Sequence, residues 1–126
     1  MSAANQLYLV SVQDYLEAEL DSPVRHEYLG GVVYAMSGGR NVHSQVATNA
    51  TAALWSRLRG QPCRAFNSDT KIRIRLPGHT RFYYPDVAVV GPPNPPQDVY
   101  QDEPVVIVEV LSDSTRRTDM GEKKDC

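Results

Sequence analysis

Two uninterrupted apolar runs in the second half of the chain constrain its fold most strongly. Residues 87–90 (Val-Ala-Val-Val) and 105–108 (Val-Val-Ile-Val) consist mostly of β-branched side chains and are too short to be helices. Strands that lack hydrophobic–polar alternation are usually covered on both faces. The two runs therefore predict central strands of a sheet that packs against helices.

The remaining periodicity predicts two helices and several further strands. One helix is expected over residues 11–20 with Ser11 as its N-cap, and a longer one over residues 41–59 with Asn41 at its start. Gly30-Gly31 predicts a turn that leads into a strand, with a hairpin as one outcome. The strands are predicted over residues 63–66, 71–76, 82–90 and 104–111. This pattern indicates an α/β or α+β fold with a helix-covered sheet.

Composition limits the class of protein. A chain of 126 residues, 41% of them hydrophobic, suits one domain, here residues 1–126, with a core that needs no metal or disulfide. Lys plus Arg number 13 against 15 Asp plus Glu, so the net charge does not indicate a nucleic-acid or membrane partner. The sequence has no signal peptide and no long apolar run, which predicts a cytoplasmic protein without membrane association.

Positive charge is nevertheless concentrated locally. Residues 57–81 contain seven basic side chains against the single acid Asp69. Three of them, Lys71, Arg73 and Arg75, alternate with apolar residues and are expected on the exposed face of one strand. Such a face could bind a phosphate backbone. The alternative is a solvated strand face that protects a sheet edge.

Two carboxylates stand at the margins of the apolar runs. Asp86 precedes the first run and Glu109 follows the second. If the two strands are antiparallel neighbours the carboxylates converge, whereas in parallel strands they stand roughly 10–15 Å apart. Converging carboxylates with nearby carbonyl oxygens suit Mg²⁺ or Mn²⁺. The alternative is that Asp86 caps a turn and Glu109 pairs with an arginine.

A lysine near the C-terminus is the third candidate. Lys123 follows Asp119 by four residues in a segment with helical character, so the two could form a solvated ion pair. In the functional interpretation the Lys123 ammonium lies over the strand ends, where it orients an attacking water and neutralises charge that develops on phosphate.

Several segments together resemble a known family. The sequence is similar to the Uma family of restriction-endonuclease-like proteins, in the PD-(D/E)XK nuclease superfamily, from about Leu9 to the C-terminus. The segments that carry the resemblance are Arg25 to Gly38, His43-Ser44, Asn49, Tyr84 to Val87, Glu109 to Ser112, Ser114-Thr115 and Asp119 to Lys123.

The resemblance implies a mixed central sheet flanked by helices, with Asp86 and Glu109 as metal ligands. The usual lysine two residues after the glutamate is replaced by Leu111, and Lys123 matches the lysine of the following helix. Glu27 matches an early acidic residue that contacts metal or water, with a plain turn acid as the alternative. His43 also matches the family pattern, and its role stays open. Related chains continue further, so a domain incomplete at its C-terminus is expected.

These observations predict a Mg²⁺-dependent endonuclease that hydrolyses DNA. Arg73 or Arg75 would position the phosphate backbone. Two alternatives remain open: a catalytically inactive nucleic-acid-binding or assembly module, and a truncated nuclease remnant. A homodimer is compatible with an enzyme that cuts both strands.

Overall fold

A computed structural model of the chain describes residues 9–111, which contain two helices and seven strands. In chain order these are α1 (Val12–Asp21), β1 (His26–Leu29), β2 (Val32–Ala35), α2 (Asn41–Arg57), β3 (Arg64–Asn67), β4 (Ile72–Leu76), β5 (His79–Tyr83), β6 (Val87–Val90) and β7 (Pro104–Val108).

The strands form two sheets, and the described chain forms two compact units. One sheet has four strands in the order β2-β1-β5-β4, and the other has three in the order β3-β6-β7. The first unit comprises residues 9–37 and 73–83, and the second comprises residues 38–72 and 84–111. The pairs β1–β2, β1–β5, β3–β6 and β6–β7 are all antiparallel.

An aromatic cluster forms the core of the first unit. The rings of Tyr15, Tyr28 and Phe82 are all buried, with centroids 4.9, 5.4 and 5.8 Å apart. The two hydroxyls also have partners, because Tyr15 donates to the carbonyl of His26 at 2.6 Å and Tyr28 to that of Val10 at 2.7 Å. The rings therefore remove apolar area from water without leaving their polar tips unsatisfied.

The cap and the turn that the sequence predicts for this unit are both present. Ser11 is the N-cap of α1, and its hydroxyl accepts the backbone N–H of Asp14 at 3.1 Å. Gly30 and Gly31 have φ values of 55° and 105°, a region that favours glycine, and they join β1 to β2 in the predicted hairpin.

The second unit is centred on β6, whose four residues are all buried. β6 lies between β3 and β7, as its unbroken apolar run predicts. Cys63, Val89 and Val105 form a hydrophobic cluster, against which Leu54 of α2 and Leu58, its C-cap residue, pack. No residue of α2 itself is fully buried, however, so this helix contacts the sheet only through partly buried side chains.

Four predictions about these elements are wrong in detail. Asn41 does not cap α2: the N-cap is Arg40, which makes no side-chain capping bond. Residues 82–90 do not form one strand but belong to β5 and β6, which lie in different sheets. The break falls at Pro85, which has no N–H to donate, and at Asp86, whose N–H is taken by a side chain.

The third correction concerns exposure. The alternating pattern predicts Lys71 on a solvent-exposed strand face, but the residue is only 5% exposed. Its carbonyl accepts the N–H of Gln101 at 2.8 Å, and its ammonium lies 6.0 Å from the ring centre of Tyr84. The loop after β6 thus bonds to the backbone of Lys71, and the side chain itself is buried. β7 was also expected to be central, yet within the described residues it pairs with β6 alone and is mostly half-buried.

The fold class is the predicted one. Helices and mainly antiparallel sheets make it α+β, with one isolated parallel bridge between Ile72 and Gln101. Neither helix within residues 9–111 is long and apolar enough to cross a membrane. The assignment of residues 1–126 to one domain stays a prediction.

Candidate active site

The antiparallel register of β6 and β7 brings the two predicted carboxylates to one end of the three-stranded sheet. Val87 pairs with Val108 and Ala88 with Ile107. Asp86 directly precedes β6 and Glu109 directly follows β7, so the two residues are neighbours across the strand ends. Of the two arrangements that the sequence left open, the structure has the converging one.

Backbone hydrogen bonds fix both carboxylates. The N–H of Asp86 donates to Oε1 of Glu109 at 3.0 Å, and the N–H of Val110 donates to Oδ2 of Asp86 at 2.7 Å. Each carboxylate therefore accepts a bond from the opposite strand just beyond the last strand pair. Hydrogen bonds of this charge-assisted type are stronger than neutral ones, which makes the pair a well-defined feature of the fold.

His43 is the third side chain at this position. It lies in the first turn of α2, and its Nε2 is 3.2 Å from Oδ2 of Asp86. Both side chains are largely buried, with 25% of His43 and 16% of Asp86 exposed. Gly39 leaves room for the ring, because a Cβ at that position would lie 3.2 Å from its Cγ and Nδ1. The structure thus gives His43 a defined partner.

The donor set suits a hard divalent cation. Mg²⁺ usually binds through one or two carboxylates, retained waters and substrate phosphates. Oδ2 of Asp86 already has two partners, whereas within residues 9–111 Oδ1 has none, and Glu109 is exposed to solvent. No group of three or more His, Cys, Asp and Glu side chains in this range is placed to hold a metal. The described protein ligands for a cation are therefore the two carboxylates.

A cleft of about 450 Å³ opens beside Asp86. One wall is α2, with Ser44, Thr48 and Thr51, and the other is the end of β3 and the loop after it, with Asn67 and Ser68. This volume is in the range of about 300–1,000 Å³ typical of ligand pockets. Any molecule in the cleft would lie next to the candidate metal ligands.

The other predicted site residues are not all in this region. Glu27 lies in β1 of the first unit and is half-buried. Arg73 and Arg75 lie in the part of β4 that belongs to the first unit, where Arg73 is half-buried and Arg75 exposed. Lys71 belongs to the second unit but is buried, as described above. Lys123 lies outside the described residues.

Sequence reasoning missed the cleft and the tryptophan at its far end. Trp55 is the only tryptophan of the chain and is 56% exposed on α2. One feature of the sequence could have indicated this site. Trp55 is a large aromatic residue in a helix that is otherwise rich in alanine, threonine and serine and has no strong apolar face. Periodicity alone could not tell which side of that helix faces an open cleft.

Comparison with known proteins agrees with this fold. The fold is similar to that of "a putative nuclease belonging to DUF820" from Anabaena variabilis, whose crystal structure matches with a TM-score of 0.63. The match covers 83% of this chain and 60% of that chain at 17% identity, a likeness that concerns the fold alone.

The family follows from the sequence. The family model Uma2, described as "putative restriction endonuclease", matches residues 12–125, and the chain belongs to this family, as the resemblance predicted. The "uncharacterized protein slr1290" of Synechocystis is 36% identical over 116 residues, which are 90% of this chain and 60% of that protein. The chain therefore spans about 60% of the length of this relative.

Proposed function

We propose that this protein is a divalent-metal-dependent nuclease that hydrolyses DNA phosphodiester bonds at Asp86 and Glu109. The observation that carries the proposal is the convergence of these two carboxylates at the ends of adjoining antiparallel strands. Neighbouring negative charges of this kind are disfavoured unless a cation or hydrogen bonds offset them. The family description supports nuclease chemistry in preference to other uses of a metal site.

In this proposal Asp86 and Glu109 hold Mg²⁺ or Mn²⁺. When bound, such a cation supplies a water of lowered pKa and polarises the phosphate. The N–H of Val110 and the ring of His43 hold Oδ2 of Asp86, and Oδ1 is the oxygen that would bind the cation. Lys123 is the proposed group that orients the attacking water, on the sequence argument alone.

DNA is the proposed substrate because the chain has a local excess of positive charge. Arg57, Arg59 and Arg64 are exposed in the second unit, which also contains the carboxylate pair. Arg73 and Arg75 of the first unit are further candidates for phosphate contacts. Phosphate contacts of this kind position a nucleic acid without reading its sequence.

A second candidate function is nucleic-acid binding without cleavage. It is favoured by the hydrogen bonds that already occupy Asp86 and Glu109, and by a described ligand set of only two carboxylates. In this alternative the pair has a structural role at the end of the sheet.

Titration calorimetry with Mn²⁺ separates the two. Asp86→Asn and Glu109→Gln are preferable to alanine variants, because an amide oxygen can still accept the backbone N–H that each carboxylate accepts now. The nuclease proposal predicts one wild-type site that either substitution abolishes. Asp98→Asn, the same change at an exposed loop acid of the same unit, should bind Mn²⁺ like the wild type.

Cleavage of plasmid and linear DNA completes the test. Wild type and Asp98→Asn should cut in Mg²⁺ or Mn²⁺ but not in EDTA, and Asp86→Asn should not cut. Lys123→Ala should keep Mn²⁺ binding and lose cleavage, since lysine is no ligand in this scheme. A wild type that binds DNA but neither binds Mn²⁺ nor cuts would overturn the nuclease proposal in favour of the binding module.

A further inference from the structure

Trp55 connects the cleft at Asp86 with a basic surface. It borders the 450 Å³ cleft described above and also a second cavity of about 230 Å³. The second cavity is lined by Arg59 and Arg64. The guanidinium of Arg59 lies 5.5 Å from the centre of the Trp55 ring, within cation–π distance. An exposed indole and two cations thus lie together at the end of the cleft away from Asp86.

The cleft and the second cavity differ in the polar groups that line them. Near Asp86 the walls carry hydroxyl and amide groups, from Ser44, Thr48 and Asn67, and Asp86 is the only charged residue among those that line the cleft. Neutral groups that both donate and accept hydrogen bonds suit sugars and base edges. The two arginines belong to the second cavity, on the other side of Trp55, and suit phosphate. A purely apolar ligand would leave both sets of polar groups without hydrogen-bond partners.

The separation of two lining residues along α2 corresponds to a short stretch of nucleic acid. Ser44 and Trp55 are eleven residues apart on α2, which is about 16 Å at the helical rise. A stacked strand rises about 3.4 Å per nucleotide, so this distance spans about five nucleotides, or fewer when the strand is extended.

We infer that the cleft binds unpaired nucleotides of a DNA strand, with one base stacked on Trp55 and its phosphates near Arg59 and Arg64. A base within a duplex already has neighbours on both faces, whereas an unpaired base has a face free for an aromatic side chain. The bound strand would lead along α2 towards Asp86. This inference rests on the proposed function, because it gives the carboxylate pair a single-stranded substrate segment.

The chain reports on this site directly, because Trp55 is its only tryptophan. Tryptophan fluorescence of the 126-residue chain is titrated in EDTA with three probes: an oligothymidylate, an abasic oligonucleotide of the same length, and a blunt duplex. Stacking predicts strong quenching by the oligothymidylate and little by the other two, since the abasic strand keeps its phosphates but has no base. Equal quenching by the abasic strand would overturn the inference.

Variants test the same point without relying on fluorescence of the indole. Anisotropy of a labelled oligothymidylate should show affinity reduced about 10- to 100-fold in Trp55→Ala, with partial rescue in Trp55→Phe. Arg59→Ala should weaken binding of the abasic strand as well. Val46→Ala, at another exposed position of α2, is the matched control. Wild-type affinity in Trp55→Ala, with the fold checked by circular dichroism, would overturn the inference.

The outcomes also separate this inference from the nuclease proposal. Quenching by the single strand without any metal-dependent cleavage supports the binding site and overturns the proposed catalysis. Metal-dependent cleavage that Trp55→Ala leaves unchanged supports the catalysis and overturns the stacking site.

Discussion

The two units of the described chain differ in how deeply their helices are buried. In the first unit α1 inserts Tyr15 into an aromatic cluster, and the hydroxyls of Tyr15 and Tyr28 bond to backbone carbonyls. In the second unit α2 packs on β3 and β6 but has no fully buried residue. Its exposed side chains include Val42, Val46 and Trp55.

The two units differ in which side chains they bury and which they leave exposed. The first unit uses large aromatic residues and their hydroxyls to close its own core. The second unit has a compact strand, β6, at its centre, and keeps one face of α2 beside an open cleft and the carboxylate pair. Exposed apolar and hydroxyl groups that cluster next to a candidate site indicate a binding surface, whereas the same groups scattered singly on a surface do not.

The largest effect is expected from breaking the aromatic cluster. Phe82 is fully buried between Tyr15 and Tyr28, so Phe82→Ala should lower the free energy of unfolding by about 3–5 kcal/mol. Urea denaturation followed by circular dichroism measures this change. Tyr34→Ala, at a half-exposed position of the same unit, should cost far less; similar losses would mean that the cluster is not the core of this unit.

The second prediction tests the contrast within the second unit. Val90 of β6 is fully buried, and its truncation to alanine should cost about 1.5–3 kcal/mol. The identical change at Val46 of α2, which is 46% exposed, should alter stability by less than about 0.5 kcal/mol. Thermal or urea unfolding of both variants checks it. A large loss at Val46 would show that this face of α2 is covered.

A smaller effect is expected from the buried hydroxyl of the first unit. Tyr15→Phe keeps the ring but removes the donor to the carbonyl of His26, which should cost about 1–2 kcal/mol. Tyr34→Phe, the same change in an exposed side chain, serves as the comparison in urea unfolding. If both variants are as stable as the wild type, the hydroxyl contributes nothing beyond the ring.

The smallest effect concerns the start of α1. Ser11→Ala removes the hydroxyl that accepts the N–H of Asp14 and should cost about 0.5–1 kcal/mol. Ser11→Asp retains an acceptor and should restore most of that stability, as measured by the shift in the unfolding midpoint. A loss of equal size in both variants would contradict a capping role.

Local signals in the sequence predicted most elements correctly. The serine cap of α1, the Gly30-Gly31 hairpin and the apolar run of β6 each specify structure through neighbouring residues. Prediction failed where distant residues decide the outcome. Lys71 has the alternation of an exposed strand residue, yet it is buried, and its backbone bonds to Gln101, thirty residues further along the chain.

The candidate site shows the same division. Asp86 and Glu109 stand out in the sequence because a carboxylate beside an apolar run is costly without a partner. Their convergence depended on the antiparallel pairing of β6 with β7, which the sequence left open. The contact of His43 with Asp86 depended on where α2 begins relative to that sheet end. Glu27 and Lys123 stay predictions from the sequence.

The sequence by itself therefore determined most of the elements, the fold class, the family and the identity of the two central carboxylates. Helical and strand periodicity, turn glycines and caps act over a few residues, so they can be read along the chain. Only the tertiary structure decided which carboxylate oxygens are held, which basic residues are exposed and that Trp55 ends a cleft at Asp86. These properties depend on contacts between residues far apart in sequence, and local patterns do not encode such contacts.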